Sequence, residues 1–138
     1  MTKTLLQYGA DVVSLDIAVS ASNEIWQSVS ALAGEVNGQV IYISCDVTSE
    51  ESVDSAFVQA VKTCRFPIRG LVTCAGISGR HPALEYPVEE FRRIMDINVT
   101  GTFLCARAAA RTMHEQNVGG SIVMFASMSG TNVNKVCP

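Results

Sequence analysis

Four short apolar runs punctuate this chain, at Asp11–Leu15, Gln39–Ile43, Gly70–Thr73 and Gly120–Phe125, and the stretches between them carry apolar residues at a helical period. Strands that alternate with helices leave few folds open. Each crossover helix returns the chain to the same end of the sheet, so the strands pair in parallel and helices cover both faces. The spacing predicts a helix over Thr2–Tyr8 closed by Gly9 and another over Asn23–Leu32 closed by Gly34. A third opens at a capping box, Thr48-x-x-Glu51, and runs to about Cys64. Pro87 suits the first turn of a long helix from Val88 to about Glu115. Along it Val88, Phe91, Ile94 or Met95, Asn98, Gly101 or Thr102, Cys105 and Ala109 recur at three- and four-residue steps, which predicts one buried face.

The 138 residues are expected to form one domain, 1–138, with no internal repeat. At 48% hydrophobic and 17% charged, the chain is too apolar for a disordered protein. A net charge of -3 with scattered Lys and Arg speaks against a nucleic-acid partner. No apolar run approaches the ~18 residues of a membrane span, and the opening MTKTLLQYGADVV lacks a signal-peptide core. The five cysteines form no C-x-x-C pair, and neither His81 nor His114 has a His or Cys three or four residues on, so no metal is expected. Scattered thiols predict a reducing, cytoplasmic setting.

Open parallel sheets bind ligands at the carboxyl ends of their strands. Asp16 stands at the first such end. A carboxylate there accepts hydrogen bonds from ribose hydroxyls and repels a 2′-phosphate, which favours NAD over NADP; the alternative is an Asp that starts a turn. Asp46 and Val47 end the second run, where the carboxylate either faces the exocyclic amine of adenine or caps the next helix. Cys74, Ala75 and Gly76 follow the third. Small residues there admit a ligand to the backbone or permit tight helix–strand packing. Asn98 puts an amide on the core side of the long helix, where lacking partners costs ~1–3 kcal/mol. It either serves chemistry or bonds a nearby carbonyl. Ser127 stands where the last run stops, as a reactive hydroxyl or a turn serine. A phosphate-binding Gly-rich loop lies about 20 residues before such an acidic residue. Counting back from Asp16 passes Met1, and Gly34 and Gly38 follow a helix, so no phosphate loop is expected.

Taken in order, Asp16, Cys45-Asp-Val-Thr48, Cys74-Ala-Gly76, Asn98-Val-Thr-Gly101 and Ser127-Met-Ser-Gly130 resemble the short-chain dehydrogenase/reductase family, of the compact type, over essentially the whole chain. The resemblance implies an α/β fold with a Rossmann-like doubly wound parallel sheet. It implies NAD or NADP as cofactor and the interconversion of a small-molecule secondary alcohol and a ketone. By it Ser127 hydrogen-bonds the reacting oxygen and Asn98 holds a water in the proton relay. Ala75 and Gly76 line the cofactor cleft, Asp46 and Val47 flank adenine, and Asp16 selects the ribose. Cys74 replaces the family's usual Asn, which weakens a brace between strands. A homo-oligomer through the long helix, 88–115, is also implied.

Two departures follow from the same comparison. The family's proton donor is the Tyr of a Tyr-x-x-x-Lys pair, about a dozen residues beyond the serine. Here Tyr8, Tyr42 and Tyr86 are followed four residues on by Val12, Asp46 and Glu90, and Lys135 has no Tyr four residues before it. The family's first strand, with its Gly-rich loop, lies at the centre of the sheet. Without that strand and the C-terminal part the sheet is incomplete, and the edges of Asp11–Leu15 and Gly70–Thr73 either stay open or pair with each other. The expectation is a marginally stable chain with exposed apolar surface, inactive by itself. Two other readings stay open: a non-catalytic nucleotide- or partner-binding relative, and a receiver-like flavodoxin fold.

Overall fold

The structure, a computed structural model, describes residues 1–21 and 23–131. Four strands form: β1 (Val12–Asp16), β2 (Val40–Ser44), β3 (Gly70–Thr73) and β4 (Ser121–Met124). They alternate with α1 (Thr2–Gln7), α2 (Asn23–Glu35), α3 (Glu50–Thr63), α4 (Val88–Met95) and α5 (Thr102–Glu115). Between α4 and α5, Asp96–Gly101 widens into a π-helical turn, and helical backbone angles at Asp96 and Thr102 keep the whole a single rod. Every pairing is parallel, from Val12 opposite Val40 to Asp16 opposite Ser44, and from Gly70 opposite Ser121 to Thr73 opposite Met124. The two pairs do not join. Among the described residues no ladder links β1 to β3, so of the two expected outcomes the edges stay open. A cleft of about 890 Å³ lies between them.

One helical layer holds the two pairs together. Val53, Ala56, Phe57 and Ala60 of α3 pack against Leu104, Cys105, Ala108, Ala109 and Met113 of α5, with Ile43 and Cys45 beneath. Val13 and Leu15 of β1 rest on this cluster, and so do Leu71 of β3 and Ile122 of β4. On the opposite face α1 and α2 cover the first pair, through Leu6, Val29 and Ala33 against Val12, Trp26 and Val40. Among the described residues the second pair has no such cover, and Val123 and Met124 are more than half exposed. The expected exposed apolar surface is therefore present. A polar tie crosses at the amino ends of the strands. Arg65, in the loop before β3, grips the Asp11 carboxylate with two guanidinium nitrogens. Asp11 Oδ1 also accepts Gln39 N–H at 2.7 Å.

Several local expectations shift. Gly9 ends α1 with φ 83°, as its position implies. Gly34 does not end α2, which runs on to Glu35; Asn37, at φ 54°, takes the left-handed position, and Gly38 N–H donates to Ala33 O at 2.8 Å. The cap of α3 is Ser49, whose Oγ accepts Ser52 N–H at 3.2 Å. Thr48 does not cap the helix, because Asp46 takes both its hydroxyl and its N–H. The buried face expected on the long helix holds for Gly101, Cys105 and Ala109, whereas Val88, Phe91 and Met95 are exposed. A π-helical turn carries an extra residue, so a three-and-four spacing counted across it does not stay on one face.

The Arg65 guanidinium beside Asp11 holds that carboxyl below its ordinary value of 3.8; burial opposes the shift and the Gln39 N–H reinforces it. A carboxylate lowered in the folded state favours folding above its unfolded pKa, and the contribution is lost as pH falls through the lowered value. The urea midpoint should therefore drop on acidification below about pH 4. Asp11→Asn should lower the midpoint at neutral pH and flatten that decline. An unchanged acid decline in the variant would assign it to other groups.

Candidate functional site

The carboxyl ends of β1, β2 and β3 gather most of the expected residues. Asp16, the last residue of β1, is exposed, and its Oδ1 accepts Ala18 N–H at 3.0 Å. That contact is an Asx turn, which bends the chain away from the strand. Tyr42 on β2 fixes the same turn by donating its hydroxyl to Ala18 O at 2.8 Å. Its ring meets Trp26 edge-on, with centroids 5.5 Å apart. Burial raises the Tyr42 phenol above its ordinary value, and the neighbouring Asp16 charge raises it further.

Asp46 is occupied by its own turn. Its Oδ1 accepts the Thr48 hydroxyl at 2.7 Å and the Thr48 N–H at 2.9 Å, and these bonds lower its pKa in that order, against burial. Its N–H donates to Ser52 Oγ at 2.9 Å. The next residue, Val47, lies against Gly101 in the π-helical turn. A Cβ at Gly101 would stand 2.7 Å from Val47 Cγ2 and 3.3 Å from Val47 O. Here the long helix lies directly on the loop after β2.

Asn98 works as a clamp. Its Oδ1 accepts Ile77 N–H and its Nδ2 donates to Ile77 O, each at 2.9 Å. Both ends of the amide thus bind the backbone N–H and C=O of one residue of the loop after β3, as a neighbouring strand would. A Cβ at Gly76 would lie 3.4 Å from Asn98 Oδ1, an ordinary contact, so the clamp does not itself demand glycine there. Cys74 is exposed, with its Sγ 3.8 Å from Met1 Sδ. The core thiols differ: burial, then the neighbouring Cys45, pushes Cys105 up to about 11. Ser127 is exposed at the start of a short 3₁₀ turn, Met128–Gly130, and its Oγ accepts Ser129 N–H at 3.1 Å.

Asp16, Val47, Cys74 and Ala75 line the cleft between the strand pairs, whereas Asp46, Gly76, Asn98 and Ser127 stand outside its wall. Two groups escaped the sequence reading. Tyr42 carried a signal, since period-two alternation puts it on the Val40 side of β2, beneath α2. The other is a knot beyond β3, where His81 Nε2 lies 2.8 Å from Glu90 Oε2 and Tyr86 meets the His81 ring edge-on at 5.3 Å. A loop that folds back on a helix leaves no period to read. Among the described residues, no cluster of His, Cys, Asp or Glu could hold a metal ion. No described helix is long and apolar enough to cross a membrane.

The family described as "short chain dehydrogenase" matches residues 1–138. A short-chain dehydrogenase/reductase of Aspergillus versicolor, notP', is 47% identical over 131 residues, which cover 95% of this chain and 45% of that protein. A ribulose-forming D-arabinitol 2-dehydrogenase of Candida albicans is 33% identical, over 100% of this chain and 52% of the relative. Among solved structures, an NAD+-bound xylitol dehydrogenase superposes with a TM-score of 0.83 at 32% identity, over 98% of this chain and 50% of its own. A short-chain type dehydrogenase/reductase from Mycobacterium marinum gives 0.83 at 37% identity, over 99% and 54%. The chain spans about half the length of these relatives.

Gly101→Ala separates close packing from helix propensity. An alanine there gains ~1 kcal/mol of propensity, but displacing the branched Val47 and its carbonyl costs ~1–3 kcal/mol. The variant should be less stable than the parent in urea unfolding, and Val47→Ala in the same chain should restore part of the loss. A stabilised Gly101→Ala chain would show that helix and loop do not touch.

Proposed function

The chain belongs to the short-chain dehydrogenase family, and on that premise we propose that it serves the NAD(P)-dependent interconversion of a secondary alcohol and a ketone. The observation that carries this reading is the convergence of Asp16, Val47, Cys74 and Ala75 on one cleft at the carboxyl ends of parallel strands. These residues suit the adenosine half of a nicotinamide dinucleotide. Asp16 uses Oδ1 in its turn, and Oδ2 serves the ribose hydroxyls. Asp46 and Val47 flank adenine, and Ala75 and Gly76 let the ligand approach the backbone. The negative charge of Asp16 favours NAD over NADP. When bound, the dinucleotide supplies hydride exchange with the carbinol carbon.

The rest falls to the chain's own groups. Ser127 Oγ accepts Ser129 N–H, which leaves its hydroxyl proton to donate to the reacting oxygen. Asn98 keeps one amide hydrogen and one lone pair beyond its Ile77 bonds, enough to order a water beside the loop. The names of the arabinitol and xylitol dehydrogenases support a small polyol or ketose as substrate. Scattered thiols support a cytoplasmic setting.

A second reading has its own support. Ser127 and Asn98 stand outside the wall of the cleft that Asp16, Val47, Cys74 and Ala75 line, so the groups offered for catalysis and those offered for the cofactor do not share one pocket. On that reading the chain by itself binds a nucleotide or a partner without turnover.

Calorimetry with NAD+ tests the binding claim. Saturable binding at one site is expected, weakened about tenfold by Asp16→Ala, the worth of one hydrogen bond to a charged group. NADP+ should bind the parent more weakly than NAD+, and the gap should narrow in the variant. A folded chain that takes up neither would end the cofactor assignment. NADH formation with a polyol by this chain alone would exclude the second reading.

We also propose a homo-oligomer through helix 88–115. The support is four exposed apolar side chains along it, Phe91, Met95, Val99 and Phe103. Sedimentation should show a dimer that Phe91→Glu with Met95→Glu dissociates at unchanged helix content. A parent chain that stays monomeric at high concentration would rule this out.

A further inference from the structure

We infer that Glu90 is a positioning residue for Asn98: through His81 it pins residues 77–81 along the helix, and the pinned segment fixes the direction in which the Asn98 amide faces. The inference rests on the water-ordering role given to Asn98 above, and it deepens that reading.

Residues 77–81 lie on the helix as an extended run would. Ile77 and His81 are half-buried and Gly79 is buried, whereas Ser78 and Arg80 between them are exposed. That alternation is the period of a strand, whose successive side chains point to opposite sides. Each inward residue meets a side chain. Ile77 is held by the Asn98 amide at both its N–H and its C=O. His81 Nε2 lies 2.8 Å from Glu90 Oε2, and because a carboxylate only accepts, Nε2 donates. Tyr86 meets the same imidazole edge-on. Between these two anchors, a Cβ at Gly79 would overlap Tyr86 Oη and stand 2.6 Å from Glu90 Oε1. One carboxylate thus bonds His81 with one oxygen and borders Gly79 with the other. The exposure of the helix agrees. In α4 only Glu90 and Ile94 are half-buried, and its other residues are exposed.

The bond pattern explains why this latch matters to Asn98. Both ends of the amide engage one residue, as two residues of an antiparallel pair exchange their N–H···O bonds. That exchange requires an extended Ile77, with its N–H and C=O turned to the same side. A loop residue is not held extended by itself, and fixing it costs conformational entropy. Pinning the run at Gly79 and His81 supplies the constraint. With both Ile77 bonds in place the amide cannot turn about its last torsion, so its remaining hydrogen and lone pair keep one direction. Released from them, the amide samples several directions and a water beside it loses its place. Glu90 stands eight residues before Asn98, about 12 Å of helix, so the effect runs through the loop rather than by contact.

Hydrogen exchange followed by NMR on the 138-residue chain tests this without cofactor or turnover. In the parent, the Ile77 N–H and the Asn98 side-chain hydrogen bonded to Ile77 O should both be protected. Glu90→Ala should speed the exchange of both about fivefold or more, with the amides of α5 unchanged. Gly79→Ala should do the same, since its methyl pushes Tyr86 and Glu90 aside. Glu90→Gln should keep the parent rates, because its side-chain carbonyl still accepts from His81. Unchanged exchange in either alanine variant would overturn the inference, as would a loss of protection in Glu90→Gln equal to that in Glu90→Ala. Faster exchange throughout α5 as well would overturn it in favour of general loosening. A parent chain without protection at Ile77 would overturn it at its first step. A parent that takes up no NAD+ would end the cofactor assignment and leave these rates standing, so the two readings fail separately.

Discussion

The contact of α3 with α5, over strands from both pairs, is the interaction on which the remaining structure depends. Two parallel strands of four or five residues do not stand alone in water. Their cohesion comes from side chains. Burying Phe57, Leu104 or Met113 contributes ~1.5–3 kcal/mol each, and Ala56, Ala60, Ala108 and Ala109 are small enough for the two helices to approach. The same cluster receives Val13 and Leu15 from one pair and Leu71 and Ile122 from the other. Helices therefore set the distance between the pairs, and strand bonds do not. That is why a gap of strand width persists where direct pairing would otherwise close it.

The candidate site inherits its geometry from this layer. The long rod reaches the carboxyl end of the strands with two side-chain-free or amide contacts, Gly101 on Val47 and Asn98 on Ile77. Each fixes one connecting loop against the same helix. The first loop is held separately, by Tyr42 on Ala18. Three loops from three strand ends are thus braced by groups that need not touch a ligand. Asn98 shows how a bracing role and a chemical role coexist, because an amide has four hydrogen-bonding capacities and Ile77 uses two.

The strand–helix alternation, the parallel pairing and the residues at strand ends were legible in the sequence because each depends on local period or on a motif. Gly9 was legible for the same reason, since a left-handed residue after a helix favours glycine. Asn37 defeated that logic, as asparagine tolerates the left-handed region well enough to displace Gly34 from the role. Ser49 outcompeted Thr48 because Asp46 had already engaged the threonine. The exposed residues of α4 were illegible because an extra residue in the turn changes the count without changing the pattern. The knot of His81, Tyr86 and Glu90 has no sequence period at all, and long-range pairs such as Arg65 with Asp11 become visible only in three dimensions.

The widened turn at Asp96–Gly101 has a further meaning. A regular helix locks the azimuth of its two ends together, at ~100° per residue. Inserting one residue offsets that azimuth by a fixed step. The α5 half is free to settle by its alanines against α3, while the α4 half presents Phe91 and Met95 in a direction that core packing does not dictate. The rod therefore carries two segments out of phase with each other on a common axis. Any surface that engages α4 is shaped apart from the interior, and the phase between them is fixed by a single turn.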